Sequence, residues 1–265
     1  MLKKSTLFLF VLFYAHNLFA LPIENPASPL YIKEGLLIPA NSWGSIRIGY
    51  EGDFTTNGKM TQPLSNEYVD NFKLYGNNAS FTVNLLNRLD IFALFGATKI
   101  KADWRYHLDP ITFFRVEAQT KYAFSWTAGA KAVLFEWGKA SLSFGGRYFY
   151  TNPKITQLLI DNIAFDLESS YMLQKAWQID AGLSYKIDFL IPYICVSYAQ
   201  RTCTITTEPP IVITADYSNT LKMKNRKNWG CTLGCGITNG KFFACNLEAR
   251  LINEEAVTIS GEFRF

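Results

Sequence analysis

His107 is the residue in this chain best suited to proton transfer. It sits in "RYHLDP" with Asp109 two positions on. A hydrolytic centre needs a nucleophile beside such a base and a third group to orient it. No nucleophile motif accompanies His107, so it reads as a solvated turn histidine and no catalytic residue is assigned. Five cysteines, Cys195, Cys203, Cys231, Cys235 and Cys245, fall in the last third of the chain. Metal sites want closely spaced ligands, usually with histidine support, and that is lacking here, so no metal and no cofactor is expected. Cys231 and Cys235 in "CTLGC" would lie on one face of a strand about 13 Å apart, beyond disulfide reach. The odd count suggests an unpaired or intermolecular thiol in an oxidising compartment. "GCG" at 234–236 lies within a strand-like run and lacks the strand–turn–helix context of a phosphate loop.

The remaining chemistry-bearing residues are charges, and their spacing shows which elements carry them. In "SIRIGYEGDF" Ile46, Ile48, Tyr50 and Phe54 take one face of an extended chain, and Arg47, Glu51 and Asp53 the other. "FFRVEAQTKY" repeats the scheme with Arg115, Glu117 and Lys121 opposite Phe114, Val116 and Tyr122. "WQIDAGLSYKI" sets Asp180 and Lys186 against Ile179, Leu183 and Tyr185, and the closing "VTISGEFRF" sets Glu262 and Arg264 against Ile259, Phe263 and Phe265. Period two dominates throughout.

The amino terminus narrows the setting. "MLKK", an apolar run ending at Ala20, and the polar, Pro-rich "LPIENP" together read as a signal peptide, residues 1–20, cleaved after Ala20. Without Lys3 and Lys4, the chain keeps 24 of its 26 Lys and Arg against 22 Asp and Glu. That near balance leaves no nucleic-acid footprint. Nowhere else does an apolar run reach the ~18 residues of a spanning helix. Strand-like segments of about ten residues with aromatics at 15% suit a transmembrane barrel, whose strands have one lipid face and one water face. A soluble sandwich would alternate similarly but needs no such strand length.

The expected fold is therefore all-β: an antiparallel up-and-down transmembrane barrel over residues 44–265, after a periplasmic segment at 21–43. About twelve strands are expected, with ten to sixteen admissible. Tight turns are read at 76–78, 137–140, around Asp188 and at Asn239-Gly240, and longer loops at 55–66, at 202–225 and at 151–175, the last of which could hide another strand pair. Pore-lining candidates are Arg47, Glu51, Asp53, Arg115, Glu117, Lys121, Arg147, Asp180, Lys186, Glu248, Arg250, Glu262 and Arg264. Their near balance of sign predicts weak ion selectivity. Trp43, Tyr50, Trp104, Tyr106, Trp137, Tyr148, Tyr150 and Trp229 are candidates for the aromatic girdles.

The segments "LPIENPASP", "RIGYEGDF", "NNASFTVNLLNRLDIFALFGAT", "FSWTAGAKAVLFEWGKASL", "LSYKIDFLIPYICVSYA" and "LKMKNRKNWG…LEARLINEEAVTISGEFRF", in that order, resemble the chlamydial major outer membrane porin family. The chain is shorter, as if trimmed where that family carries long surface loops, and it has few cysteines. The resemblance implies passive diffusion of small hydrophilic solutes across a bacterial outer membrane, and disulfide links from the five cysteines to neighbouring envelope proteins or to further copies of the chain. A strand ending in Phe263 and Phe265 resembles the signal read by the barrel assembly machinery. Besides that machinery, the expected partner is outer-membrane lipid, and no nucleic acid. The other reading is a structural or adhesive surface protein whose barrel is plugged.

Overall fold

The computed structural model describes residues 21–32, 35, 42–62, 69–107, 113–165, 169–208, 219–252 and 254–265. Most of the described residues are strand, because alternating apolar and polar residues can satisfy both a lipid face and an inner face only when extended. A short helix, α1 (Ser28–Tyr31), precedes β1 (Gly44–Gly58), β2 (Met60–Thr61), β3 (Val69–Leu85), β4 (Leu89–His107), β5 (Phe113–Thr120), β6 (Ala123–Trp137) and β7 (Ala140–Thr151). There follow β8 (Ile155–Ile160), β9 (Ile163–Phe165), β10 (Tyr171–Tyr185), β11 (Leu190–Thr206), β12 (Thr220–Asn225), β13 (Trp229–Thr238), β14 (Phe243–Arg250) and β15 (Glu254–Arg264).

Ten of these strands, all antiparallel to their neighbours, close a circuit β1–β3–β4–β6–β7–β10–β11–β13–β14–β15 and back to β1. Closure leaves no unpaired edge in the bilayer, where an unsatisfied N–H or C=O costs several kcal/mol. In the closing pair Arg47 stands opposite Arg264, Ile48 opposite Phe263 and Phe54 opposite Val257. The final N–H, that of Phe265, donates to the Ile46 carbonyl at 2.9 Å.

The circuit has two strands fewer than twelve, for two reasons. The expected turn at Gly76–Asn78 is the middle of β3, which runs unbroken through it. Gly and Asn signal a turn in most contexts, but here they serve the wall: Asn78 points inward and accepts a hydrogen bond from Ser125 at 3.3 Å, while Asn77 accepts one from Tyr50. The other reason is β5, which pairs with the upper half of β4 and with β8, off the circuit.

The tight connections at 86–88, 138–139, 188–189 and 239–242 share one end with the start of β1 and the end of β15. Gly138, Asp188 and Gly240 have positive φ, as the tight turns demand, and so do Leu86 and Asn87 in a turn that no glycine announces. The opposite end carries the long connections. There β5, β8 and β9 extend the wall on one side, and β12, paired with β11 and β2, extends it on the other. The 151–175 stretch thus holds the β8–β9 hairpin.

The interior changes character with height. At the loop end it is an apolar core, in which Phe72, Ile100, Trp104, Val116, Leu158, Met172, Ile205 and Met223 are buried together. Trp104 is therefore a core residue and not part of a girdle; the side chain of Tyr106 lies outside the described residues. From mid-barrel to the turn end the interior is polar and ionic.

Candidate functional site in the barrel lumen

Strand geometry sends alternate side chains into the lumen, and the contrast between the two rows is sharp. Ile48, Leu183 and Ile259 are 48%, 49% and 48% exposed on the outer wall, whereas Arg47, Asp180 and Glu262 are 2%, 7% and 4% exposed inside. The outer band is bounded at the loop end by Trp126, stacked on Tyr150 and tilted against Tyr148, and by Tyr198 against Trp177 and Trp229. At the turn end it is bounded by Phe135 with Trp137 and Phe243 with Phe263. These are the aromatic girdles of a bilayer-spanning wall.

Inside, ion pairs bridge strands. The Arg250 guanidinium is paired with Asp53, with Glu248 at 3.2 Å and with Glu254 at 2.5 Å, and Arg201 reaches Glu254 at 3.2 Å. Arg47 is paired with Asp90 and lies 3.1 Å from Glu262, and Arg147 lies 3.5 Å from Glu51. Desolvating any of these charges alone would cost several kcal/mol, which is why they are interleaved cation by anion. Asp180 carboxylate oxygens crowd the backbone at Gly145, where a side chain would collide. Lys186 lies just past β10 at the turn-end mouth, with its Nζ 5.4 Å from the Tyr31 ring centroid.

Three pore-lining expectations are corrected. Arg115 and Glu117 are 53% and 38% exposed on the outer wall, and Lys121 is exposed beyond the end of β5. The alternation of "FFRVEAQTKY" is as read, but its polarity is reversed. β5 stands above the bilayer, so its outer face meets water and its inner face, Val116 and Ala118, joins the apolar core. Arg115 there binds Asp103 at 2.5 Å and Glu117 at 3.2 Å. The Asp103 hydrogen bond, then the charges of Asp103 and Glu117, hold the guanidinium above its ordinary pKa. Together they line a shallow outer groove of about 280 Å³ with Lys73 and Lys101.

Sequence reading missed Asp90, Lys131, Arg201 and Glu254 as lumenal. Counting in twos would have found them: Lys131 has the parity of Thr127, Arg201 that of Ser197, and Glu254 that of Glu262. It also misplaced residues 21–32. Expected in the periplasm, they lie inside the barrel, buried along their whole length. Water would leave Ile23, Ala27, Leu30 and Tyr31 uncovered; the lumen packs them against Tyr193, Cys195, Val133 and Ile191.

The wall also takes up the segment's backbone. Gln178 accepts the Leu21 N–H and donates to its carbonyl at 3.2 Å. Glu248 accepts from the N–H groups of Ile23 and Glu24 at 2.9 and 2.8 Å. Lys131 reaches the Asn25 carbonyl at 3.2 Å and the Glu24 carboxylate at 3.4 Å, Arg47 donates to the Ser28 carbonyl at 3.1 Å, and Arg264 donates to that of Ile32. Among the described residues, cavities of about 10 Å³ lie on either side of the segment, each roughly the space of one water.

All five cysteines are free thiols. Cys195 and Cys203 are buried in the interior, while Cys231, Cys235 and Cys245 belong to the outward rows of β13 and β14. Phe263 is outward and its ring lies 5.0 Å from that of Phe243. His107 ends β4, and its side chain and Asp109 lie outside the described residues, as do residues 1–20.

Comparison with known proteins adds the relatives. No family model matches the chain. Among solved structures, an outer membrane channel from Pseudomonas putida F1 is similar at 12% identity, covering 88% of this chain and 98% of that one, with a TM-score of 0.43. Among curated proteins, the major outer membrane porin of Chlamydia muridarum is 23% identical over 402 aligned positions, covering all of this chain and 99% of the relative. That of Chlamydia abortus is 25% identical over 387, with the same coverage. The serovar E porin of Chlamydia trachomatis is 24% identical over 393. Alignments this much longer than 265 residues mean that the relatives carry segments this chain lacks. Matched from end to end to these porins, and built as a closed barrel with an ionic interior, the chain is similar over its whole length to the chlamydial major outer membrane porins, and it is divergent from them and shorter.

Proposed function

We propose that the protein is an outer-membrane porin that passes small hydrophilic solutes and ions by passive diffusion. One observation carries the reading: on the ten-strand circuit the apolar rows face out and the ionic rows face in. An inner wall of interleaved charges interacts with hydrated solutes of either sign and favours neither strongly. The relatives bear the name of porins and match over the full chain, which supports the same role and the same outer-membrane location. Transport of this kind needs no catalytic group, and none is assigned.

The filled interior favours a second reading, a plugged barrel with a structural role in the envelope. Lipid-facing Cys231, Cys235 and Cys245 would then be placed for lateral disulfides to neighbours. Single-channel recording of the refolded protein in planar bilayers separates the two. Discrete conductance steps with weak ion selectivity are the expected result; silent bilayers containing folded, heat-modifiable protein would leave the structural role.

A further inference from the structure

The lumen wall is spent on something other than solute. Glu248, Gln178, Lys131, Arg47 and Arg264 each bond a main-chain N–H or C=O of residues 21–32. Recognition through backbone groups depends little on side chains, and proteins use it to bind peptide segments. Two glycines complete the seat. A Cβ on Gly182 would lie 2.7 Å from the Pro26 ring, and one on Gly236 would collide with the Asn25 side chain, so the wall lacks side chains where the segment presses closest. Glu24 holds φ at 57°, and its carboxylate faces Lys131.

From this fit we infer that the lower lumen is a binding site for a peptide segment, that the chain's own residues 21–32 are its ligand, and that their occupancy closes the bore. The inference rests on the porin reading only for its last part. The segment is tied to the wall by hydrogen bonds, one ion pair between Glu24 and Lys131, and small apolar patches. Such contacts can be exchanged for water one at a time, unlike the continuous hydrogen-bond ladders of the wall around them. Open and closed states then differ by where residues 21–32 sit, and the wall stays folded in both.

Two full-length variants test this. Pro26→Cys places a thiol beside Cys195, since Pro26 Cγ and Cys195 Sγ both lie 2.7 Å from the same point above Gly182. Oxidation is expected to give a 26–195 disulfide, absent in Pro26→Cys/Cys195→Ser; failure of that crosslink in folded protein overturns the site. Glu24→Pro changes no barrel residue, but it removes an N–H donated to Glu248 and cannot adopt φ of 57°. Loss of one hydrogen bond to a charged group corresponds to about a tenfold rise in open-state occupancy. Synthetic peptide LPIENPASPLYI, added to Glu24→Pro, is expected to reduce the current again, and the same peptide with Pro at its fourth position is not. Equal currents from wild type and Glu24→Pro would overturn the gating while leaving the porin standing. A formed crosslink with silent bilayers for both would do the reverse: it would sink the porin and keep the seat.

Discussion

At the scale of single residues the lumen is organised around arginines that each serve several carboxylates. Arg250 is the clearest, fully buried between Asp53, Glu248, Glu254 and the Thr258 hydroxyl. Removing it takes the paired cation from Asp53 and Glu248 and leaves Glu254 to Arg201 alone. Truncating one partner of a buried ionic cluster typically costs about 3–5 kcal/mol, so Arg250→Ala is expected to lower the urea midpoint of the folded barrel by that equivalent, and Arg250→Lys by less. Tryptophan fluorescence during urea titration in lipid vesicles measures both. Periodicity alone identified Arg250, Glu248 and Asp53 as inward. Which anion each cation meets was illegible, because the partners come from β1, β14 and β15, and only register brings them together.

The closing pair of strands shows what an element contributes. β15 hydrogen-bonds to both β1 and β14, so it is the strand that converts an open sheet into a barrel. Its alternation, from Val257 to Phe263 outward and Thr258 to Arg264 inward, was readable residue by residue from the sequence. Phe265 adds a backbone bond to Ile46, and its aromatic side chain is expected to serve recognition by the assembly machinery. Deleting Phe265 is expected to reduce the amount of barrel reaching the cell surface while changing the stability of refolded protein little, a loss of about 1 kcal/mol for one exposed hydrogen bond. Surface protease accessibility in cells and urea titration in vitro separate the two effects. β3 marks the opposite case. Its central Gly-Asn-Asn resembles a turn, and becomes strand because a lumen supplies polar partners in mid-strand that a soluble core would not.

The whole molecule is a barrel with two different interiors. Below, charges and the segment 21–32 fill it; above, β5, β8, β12 and the upper ends of the wall enclose an apolar core around Trp104, which is wholly buried. That core anchors strands which stand clear of the bilayer and have no lipid to support them. Trp104→Ala is expected to cost about 3–5 kcal/mol. Its effect should concentrate in the loop-end strands, seen as faster proteolysis within 113–165 and faster amide exchange there than in β14 and β15.

The order of strands along the chain, their one apolar face and the end at which short turns gather all follow from sequence, because period two and turn chemistry are local properties. Strand number was less secure, since a continuous β3 and a β5 that leaves the circuit are decided by pairing between distant segments. Whether an alternating strand turns its apolar face to lipid or to protein depends on its height relative to the bilayer. That is why Arg47 points into the lumen while Arg115, with the same local pattern, points into water. The place of residues 21–32 was likewise a tertiary decision: twelve residues with mixed polarity carry no periodic signal, and only the assembled wall offers them enough partners to leave water.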